Sequence, residues 1–562
     1  MSPRIAGEPT FREQVWFNWQ QPASPLLLGG TIDACGEPFR RYFGFPFFTS
    51  VIFYRTLDRD RGYQASWLLR IAEGEACGRL LVDALSVPSF RARLEEEIAE
   101  SFAKLGAAAE QISALDLEAL GDNEVLERFD EFQRLFVGFY RIGAITEPVT
   151  WHAERFFRDF AKEAEGSEVL PRDWSADRLE AAAFLTTEEP YTLAIERSLG
   201  AVASAFDAAA NEGPEAGASA ITALDWEQTR ARHPKLAELA SAHAAAYSWK
   251  ANNYREAKVT SGADVIAELA AMDGKGPLGE RLRGDVEATE ERRRAMAEDR
   301  SLLLERCPAP VRTVLEIADR FGAGLADRRK ESMLPALHVI DLLGRELARR
   351  SSVPYELVLN LTPGEVGPFI RSPEGFRDRL ELRRNALVLV QAPFPLDDTE
   401  MSARLRIDGS EGGLPWKDDT SLAEGPAAHE LLARIDSTMG LFRESKTGEV
   451  RGTVVVRPQS GALLEGRCRV ISDPRNDRLE PGEVLIATST TPDFMPAIRN
   501  AAALLVDQGG TLSHAALTSR ELGKPCIVGA FNATSRFHSG DTIRLDFDAG
   551  TASLVEGPGD GG

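Results

Sequence analysis

Gly509-Gly510-Thr511-Leu512-Ser513-His514-Ala515-Ala516-Leu517-Thr518-Ser519-Arg520-Glu521-Leu522-Gly523-Lys524-Pro525 is the stretch whose reading decides the rest of the chain. The apolar run before it, Ala501 to Val506, reads as a buried strand. The stretch then opens a short helix that Gly523 stops, with Pro525 close behind. A hydroxyl of Thr511 or Ser513 can cap the helix start by accepting a first-turn N–H. His514 then lies in the first turn, just after two glycines that can bare backbone amides. Such a helix start favours an anion, because unpaired N–H groups and the positive end of the dipole both face it. The same positive end disfavours imidazolium and would keep His514 neutral, the state a nucleophile toward phosphorus requires.

Working outward, Gly-Gly-x-Leu-Ser-His-Ala-Ala, then Arg-Glu-Leu-Gly-Lys-Pro and the apolar Cys526-Ile527-Val528-Gly529, resemble the phosphohistidine (mobile, swivelling) domain of phosphoenolpyruvate-utilising enzymes. Asp473-Pro474, Leu479-x-Pro481-Gly482-Glu483-Val484-Leu485, Thr490-Thr491-Pro492 and Gly540-Asp541 extend the resemblance over roughly the last fifth of the chain. Leu512 stands where dikinases usually have Thr, and Leu occurs in the antibiotic phosphotransferase branch. The resemblance implies a relay in which His514 is phosphorylated at one site and discharges to an acceptor at another. Gly509, Gly510, Thr511 and Ser513 would then surround the phosphoryl oxygens. Thr490 and Thr491, on the loop after a strand, would bring hydroxyls to the same pocket, with simple turn chemistry as the other reading. Arg520 is six residues past His514 and off its helical face, so pairing with Glu521 or a neighbour is its local reading. Only the resemblance adds it to the phosphate site.

From Thr453 the texture is short strands and small helices: Thr453–Arg457, Arg467–Ile471, Val484–Thr488, Ala503–Val506, Cys526–Val528 and Thr542–Leu545, with helices near Pro496 and Leu517. Residues 451–557 are thus expected to form an α/β swivelling domain. Residues 1–405 are expected to be mainly α-helical and to hold the acceptor, with an aromatic-rich segment over 1–60. Its Trp-x-Asn…Pro-x-x-Pro-Leu beginning is similar to the start of the acceptor domain in rifampicin phosphotransferase-type enzymes. Val51-Ile52-Phe53-Tyr54 reads as a buried strand. Asp122 or Asn123 can cap a helix carrying Leu126, Phe129, Phe132, Phe136 and Phe139 at helical spacing. Leu278 to Cys307 reads as a long solvated helix, including its Glu290–Arg294 charge run. Residues 406–450 read as a linker: Asp408 to Pro426 is Gly-, Pro- and Asp-rich, and a helix over His429–Phe442 bridges onward.

Acceptor-side candidates are softer. His152, before Arg155, can serve as a general base, or be a core histidine beside Trp151. Trp249, Asn252 and Asn253 interrupt an Ala-rich helix and can bind a hydroxylated or aromatic substrate, or simply finish the helix. No Gly-x-x-x-x-Gly-Lys-[Ser/Thr] loop is present, and no ATP-grasp pattern precedes the helical region. The expectation is therefore a split system like phenylphosphate synthase. ATP and Mg²⁺ act through a separate ATP-grasp chain, and this chain has no tightly bound cofactor and no metal. A self-contained enzyme with an unrecognised donor site, or a regulatory paralogue that binds a protein partner, stays open.

Composition bounds the rest. A length of 562 residues suits about three to four domains. A net charge of −22 argues against nucleic acid or anionic membrane as partner. Five widely spread cysteines without metal-ligand spacing read as reduced thiols of a cytoplasmic protein. The absence of an apolar run of about 18 residues argues against a membrane span.

Overall fold

The computed structural model describes residues 16–35, 37–44, 50–56, 63–164, 169–171, 174–212, 221, 223–252, 254, 257–272, 276–384, 386–391, 420–430, 449–472, 474, 477–511, 513–530 and 533–555. Two regions carry the architecture, a helical one before residue 385 and a C-terminal α/β one.

The helical core is built by the stripes the sequence shows. Asp122–Gly143 buries Phe129, Phe132, Phe136 and Phe139. Its cap is Gly121, whose N–H donates to Glu124 at 2.7 Å, rather than Asp122 or Asn123. Thr146–Glu163 packs on Ile71–Leu85 so closely that a Cβ on Gly78 would lie 1.9 Å from the Pro148 carbonyl oxygen. Gly324–Ser351 runs through the centre, burying Leu334, Leu337, Ile340, Leu343 and Leu347. Arg349 and Arg350 at its end pair with Glu346, and Arg350 also reaches the Leu117 and Leu120 carbonyls, tying this helix to a neighbouring loop.

The N-terminal region also contains a sheet that the helical expectation omits. Five antiparallel strands lie in the order Trp16–Pro22, Tyr63–Arg70, Ser50–Thr56, Ala386–Gln391, Thr420–Glu424. Residues some 330 positions apart in sequence are thus ladder partners, as in Ile52 with Leu389. Thr420–Glu424 corrects the reading of Asp408–Pro426 as loop throughout. Glu424 accepts from Arg379 and from Arg383, a fully buried guanidinium that also donates to Glu365 and to the Asn360 carbonyl. Buried charge is tolerated only with such complete pairing. Residues 425–430 are helical, and the rest of the proposed bridging helix lies outside the described residues.

In the C-terminal region eight strands lie in the order Val450–Arg451, Thr551–Leu554, Thr542–Asp546, Leu463–Val470, Val484–Ala487, Ala503–Val506, Cys526–Val528, Thr453–Val456. The first and last of these strands are joined through Gly452 alone, which bends the sheet back on itself like a barrel. The three central pairings from Leu463–Val470 to Cys526–Val528 are parallel. Val484–Ala487 and Ala503–Val506 are buried at every residue, as strands covered on both faces must be. Thr551–Leu554 and Val450–Arg451 are strands that the apolar patterning did not reveal.

All five cysteines are free and buried. Among the described residues no helix is long and apolar enough to cross a membrane.

Candidate active site

The helix at the centre of the sequence argument spans His514–Leu522. Ser513 is its cap: its hydroxyl accepts the Ala516 N–H at 3.3 Å. Gly523 ends it in the left-handed region at φ 65°. Gly509, at φ 104°, makes the tight turn before the cap, and a Cβ there would lie 2.5 Å from the Ser513 Cβ. No other residue type fits both conditions.

His514 is oriented by Thr490, whose Oγ1 lies 2.9 Å from the ring Nδ1. The other ring nitrogen, Nε2, is buried without a partner among the described residues. Burial first, and Lys330 second, hold the imidazole well below its ordinary pKa. The helix dipole, which the sequence suggests for this task, is typically worth about 0.3–1 kcal/mol and up to about 2 kcal/mol at partly buried sites, and it acts in the same direction as burial, the first cause here. The result is a neutral imidazole whose Nε2 lone pair is free when Nδ1–H donates to Thr490.

His514 belongs to the wall of a cavity of about 320 Å³ between the two regions. The C-terminal side contributes Thr490, Thr491, Gly509, Gly510, Ser513 and His514. The helical side contributes an aromatic and apolar surface that includes Tyr140, Trp151, Tyr191, Tyr254 and Met333. Charged groups are set into it: Glu147 is held by two nitrogens of Arg329, and Lys330 lies 5.7 Å from the centre of the Tyr191 ring. A π-helical turn, Ala318–Ala323, precedes the helix that carries Arg329 and Lys330, and its Gly322 and Ala323 line the same cavity. Such turns are frequent at functional sites.

The two regions are docked by ion pairs around this cavity. Arg499 donates to Glu196 at 2.8 Å and meets Asp285 at 3.0 Å. Arg457 meets Asp177 at 2.7 Å. Arg293 pairs with Glu521 and also holds the Thr186 carbonyl at 2.8 Å. Arg292 donates to the Glu521 carbonyl at 3.0 Å. The Glu290–Arg294 run is therefore a docking edge rather than the solvated face its composition suggests.

The expected site residues divide cleanly. His514, Thr490, Thr491, Gly509, Gly510, Ser513 and Asn252 meet at the cavity. Thr491, at the N-cap position of the short helical turn Pro492–Phe494, donates its hydroxyl to Asp493 and makes no side-chain capping bond. Thr511 is buried behind the cradle, and its carbonyl is gripped by Arg520. Arg520 also meets Glu180 at 3.3 Å and is absent from the cavity wall, so it braces the loop instead of facing the phosphate position. His152 and Arg155 lie toward Ile71–Leu85, where Arg155 pairs with Glu75 and the charges around His152 are Asp83, Arg79 and Glu75. Neither reaches the cavity wall. Trp249 packs beside Tyr191, one shell back, with its indole N–H on the Ala246 carbonyl at 3.0 Å. Asn252 donates to the Leu334 carbonyl at 3.0 Å and accepts from the Lys258 N–H at 2.6 Å, so its amide is engaged by backbone. Asn253 lies outside the described residues. Sequence reading missed Arg329, Lys330, Glu147 and Asp327. The adjacent charges at 327–330 on an otherwise apolar helix were the signal.

The family described as "PEP-utilising enzyme, mobile domain" matches residues 479–550. The chain is similar to a "Probable phosphoenolpyruvate synthase" of Methanothermobacter thermautotrophicus, 32% identical over 152 residues, or 26% of this chain and 22% of the relative. It is similar also to a "Phosphoenolpyruvate synthase" of Pyrococcus furiosus, 45% identical over 97 residues, 17% of this chain and 12% of the relative. An uncharacterized protein of Mycobacterium bovis is 27% identical over 311 residues, covering 52% of this chain and 31% of that one. The chain thus spans less than a third of the length of each of these relatives. Residues 479–550, which contain His514, are thus similar to the mobile domain of PEP-utilising enzymes.

Proposed function

We propose that this chain is a phosphotransferase component, of the rifampicin phosphotransferase or phenylphosphate synthase type. It carries a phosphoryl group on His514 and passes it to a small organic acceptor in the cavity. The observation that supports this reading most is His514 at a Gly-flanked helix start, in the wall of a cavity whose other side belongs to a different region of the chain. Its Nε2 has no partner among the described residues, a feature it shares with His243 Nε2 and His338 Nδ1, and of these three only His514 lines the cavity. Lys330 supplies the positive charge that a phosphoryl group on that nitrogen would meet.

The acceptor is hydroxylated and compact, and an aromatic body suits the Tyr140, Trp151, Tyr191 and Tyr254 surface. Glu147 is already matched by Arg329 and Glu521 by Arg293, so the wall offers no spare cation to a carboxylate substrate beyond Lys330.

The phosphoryl donor is Mg-ATP on a separate ATP-grasp chain. Mg²⁺ is expected with that donor chain. In this reading the mobile domain leaves the helical region to be charged and returns to discharge. The test is reconstitution with Mg-ATP, an ATP-grasp chain and a panel of phenols and alcohols. A phosphorylated product that needs all three proteins-and-substrates together, and is lost in His514→Ala, supports the reading. Product formation from Mg-ATP and this chain alone would replace the split system with a donor site inside the chain.

A further inference from the structure

We propose that Asp327 is the general base that takes the acceptor's hydroxyl proton. The assignment rests on the phosphohistidine reading above. Four carboxylates line the cavity: Glu147, Glu154, Asp327 and Glu521. Glu147 is clamped by two Arg329 nitrogens and accepts the Thr146 hydroxyl at 2.7 Å, which hold its carboxyl below the ordinary range. Glu521 is paired with Arg293 and rides on the same helix as His514, so it leaves when the domain leaves. Glu154, on Thr146–Glu163, has an oxygen 3.5 Å from where a Cβ on Gly510 would stand and is paired with Arg158 at 3.9 Å. Asp327 is likewise on the helical side and, alone of these four, forms no ion pair within 4 Å among the described residues.

Its placement suits the task. Asp327 and Lys330 are three residues apart on Gly324–Ser351, so they share a helical face. Both line the cavity, and Lys330 is the charge that acts on His514. The Lys330 ammonium lies 5.7 Å from the centre of the Tyr191 ring, and Tyr191 lines the same cavity wall as Asp327. Burial raises its carboxyl above the ordinary range, which makes it a stronger base than a surface aspartate.

The step balances as follows. The acceptor oxygen forms a bond to phosphorus as the P–Nε2 bond breaks, and the electron pair of that bond returns to Nε2. The acceptor's proton passes to Asp327. Nδ1 keeps its proton on Thr490 Oγ1, so the leaving group is a neutral imidazole.

The experiment charges the full chain with potassium phosphoramidate, confirms the label on the 509–525 peptide, and follows its discharge to phenol and water by ³¹P NMR. The rate of a denatured labelled chain is subtracted. Asp327→Asn has the same size and breaks no ion pair within 4 Å among the described residues, so its unfolding temperature and its extent of labelling should match the wild type. Its discharge should slow by about 100-fold, the usual size of a general-base contribution, and Asp327→Glu should recover part of that loss. Discharge of Asp327→Asn within twofold of wild type, or a large loss in Glu154→Gln with none in Asp327→Asn, would overturn the assignment. Failure of the wild-type chain to take label on His514 would instead defeat the phosphohistidine reading, and the assignment with it.

Discussion

Thr490 Oγ1 lies 2.9 Å from His514 Nδ1, and this one contact engages Nδ1 while Nε2 has no partner among the described residues. The two residues come from different βα loops, one after Val484–Ala487 and one after Ala503–Val506, brought side by side because those strands are parallel neighbours. A ligand site at the carboxyl ends of parallel strands follows from that geometry.

The tautomer and its pH range are therefore predictable. A depressed pKa means the ring stays neutral as pH falls through about 6.5, where a free histidine takes up a proton. In ¹⁵N-histidine spectra, the signals absent from His514→Ala should keep the Nδ1–H pattern from about pH 8 to about pH 5.5. Lys330→Ala should raise the pKa only partly, since burial is the larger cause. Thr490→Val should mix the two tautomers. Titration of His514 near 6.5 in the docked chain would show that the nitrogen is not buried as described.

Docking depends on Arg499, which is nearly buried between Glu196 and Asp285. Arg499→Ala leaves Glu196 buried without its counter-charge, at a cost of about 3 kcal/mol. Fluorescence energy transfer between labels on the two regions should fall accordingly, while the unfolding of each region changes little. The charge swap of Arg499→Glu with Glu196→Arg should recover part of the signal. An unchanged signal in Arg499→Ala would mean that the ion pairs do not hold the domain.

The hinge follows from Arg383. Because Arg379 and Arg383 fix Glu424, residues 420–424 belong to the N-terminal sheet, and the connection to Val450–Arg451 runs through 431–448. A rigid helical spacer in place of 431–448 should abolish net transfer. Arg383→Met should instead destabilise the helical region by about 3 kcal/mol, by leaving Glu365 and Glu424 with only the more exposed Arg379 as counter-charge. Full turnover with the spacer would place the moving joint elsewhere.

What was legible in the sequence was local. The Ser513 cap, the Gly523 stop, the buried strand before them and the phenylalanine stripe of Asp122–Gly143 each depend on residues a few positions apart. The five-stranded sheet was not legible, because Ala386–Gln391 takes its partner Ser50–Thr56 from more than 300 positions earlier, and Thr420–Glu424 is placed only by pairing on Ala386–Gln391. The same limit hid the docking role of Arg293: a charged helix face looks solvated until Glu521 arrives from another region. His152 drew attention as a histidine beside tryptophan, yet the helix turns it toward Asp83 and Arg79, away from the cavity. Asp327 and Lys330 looked like ordinary helix charges because only tertiary structure shows which face of that helix meets His514.

The central claim is that His514 carries the phosphoryl group. The most direct measurement incubates the chain with Mg-ATP and an ATP-grasp chain, digests it at alkaline pH to preserve the P–N bond, and maps the phosphate by mass spectrometry. One phosphoryl group on the 509–525 peptide, absent from His514→Ala, is the predicted result. Phosphate on another residue, or label persisting in His514→Ala, would contradict the account.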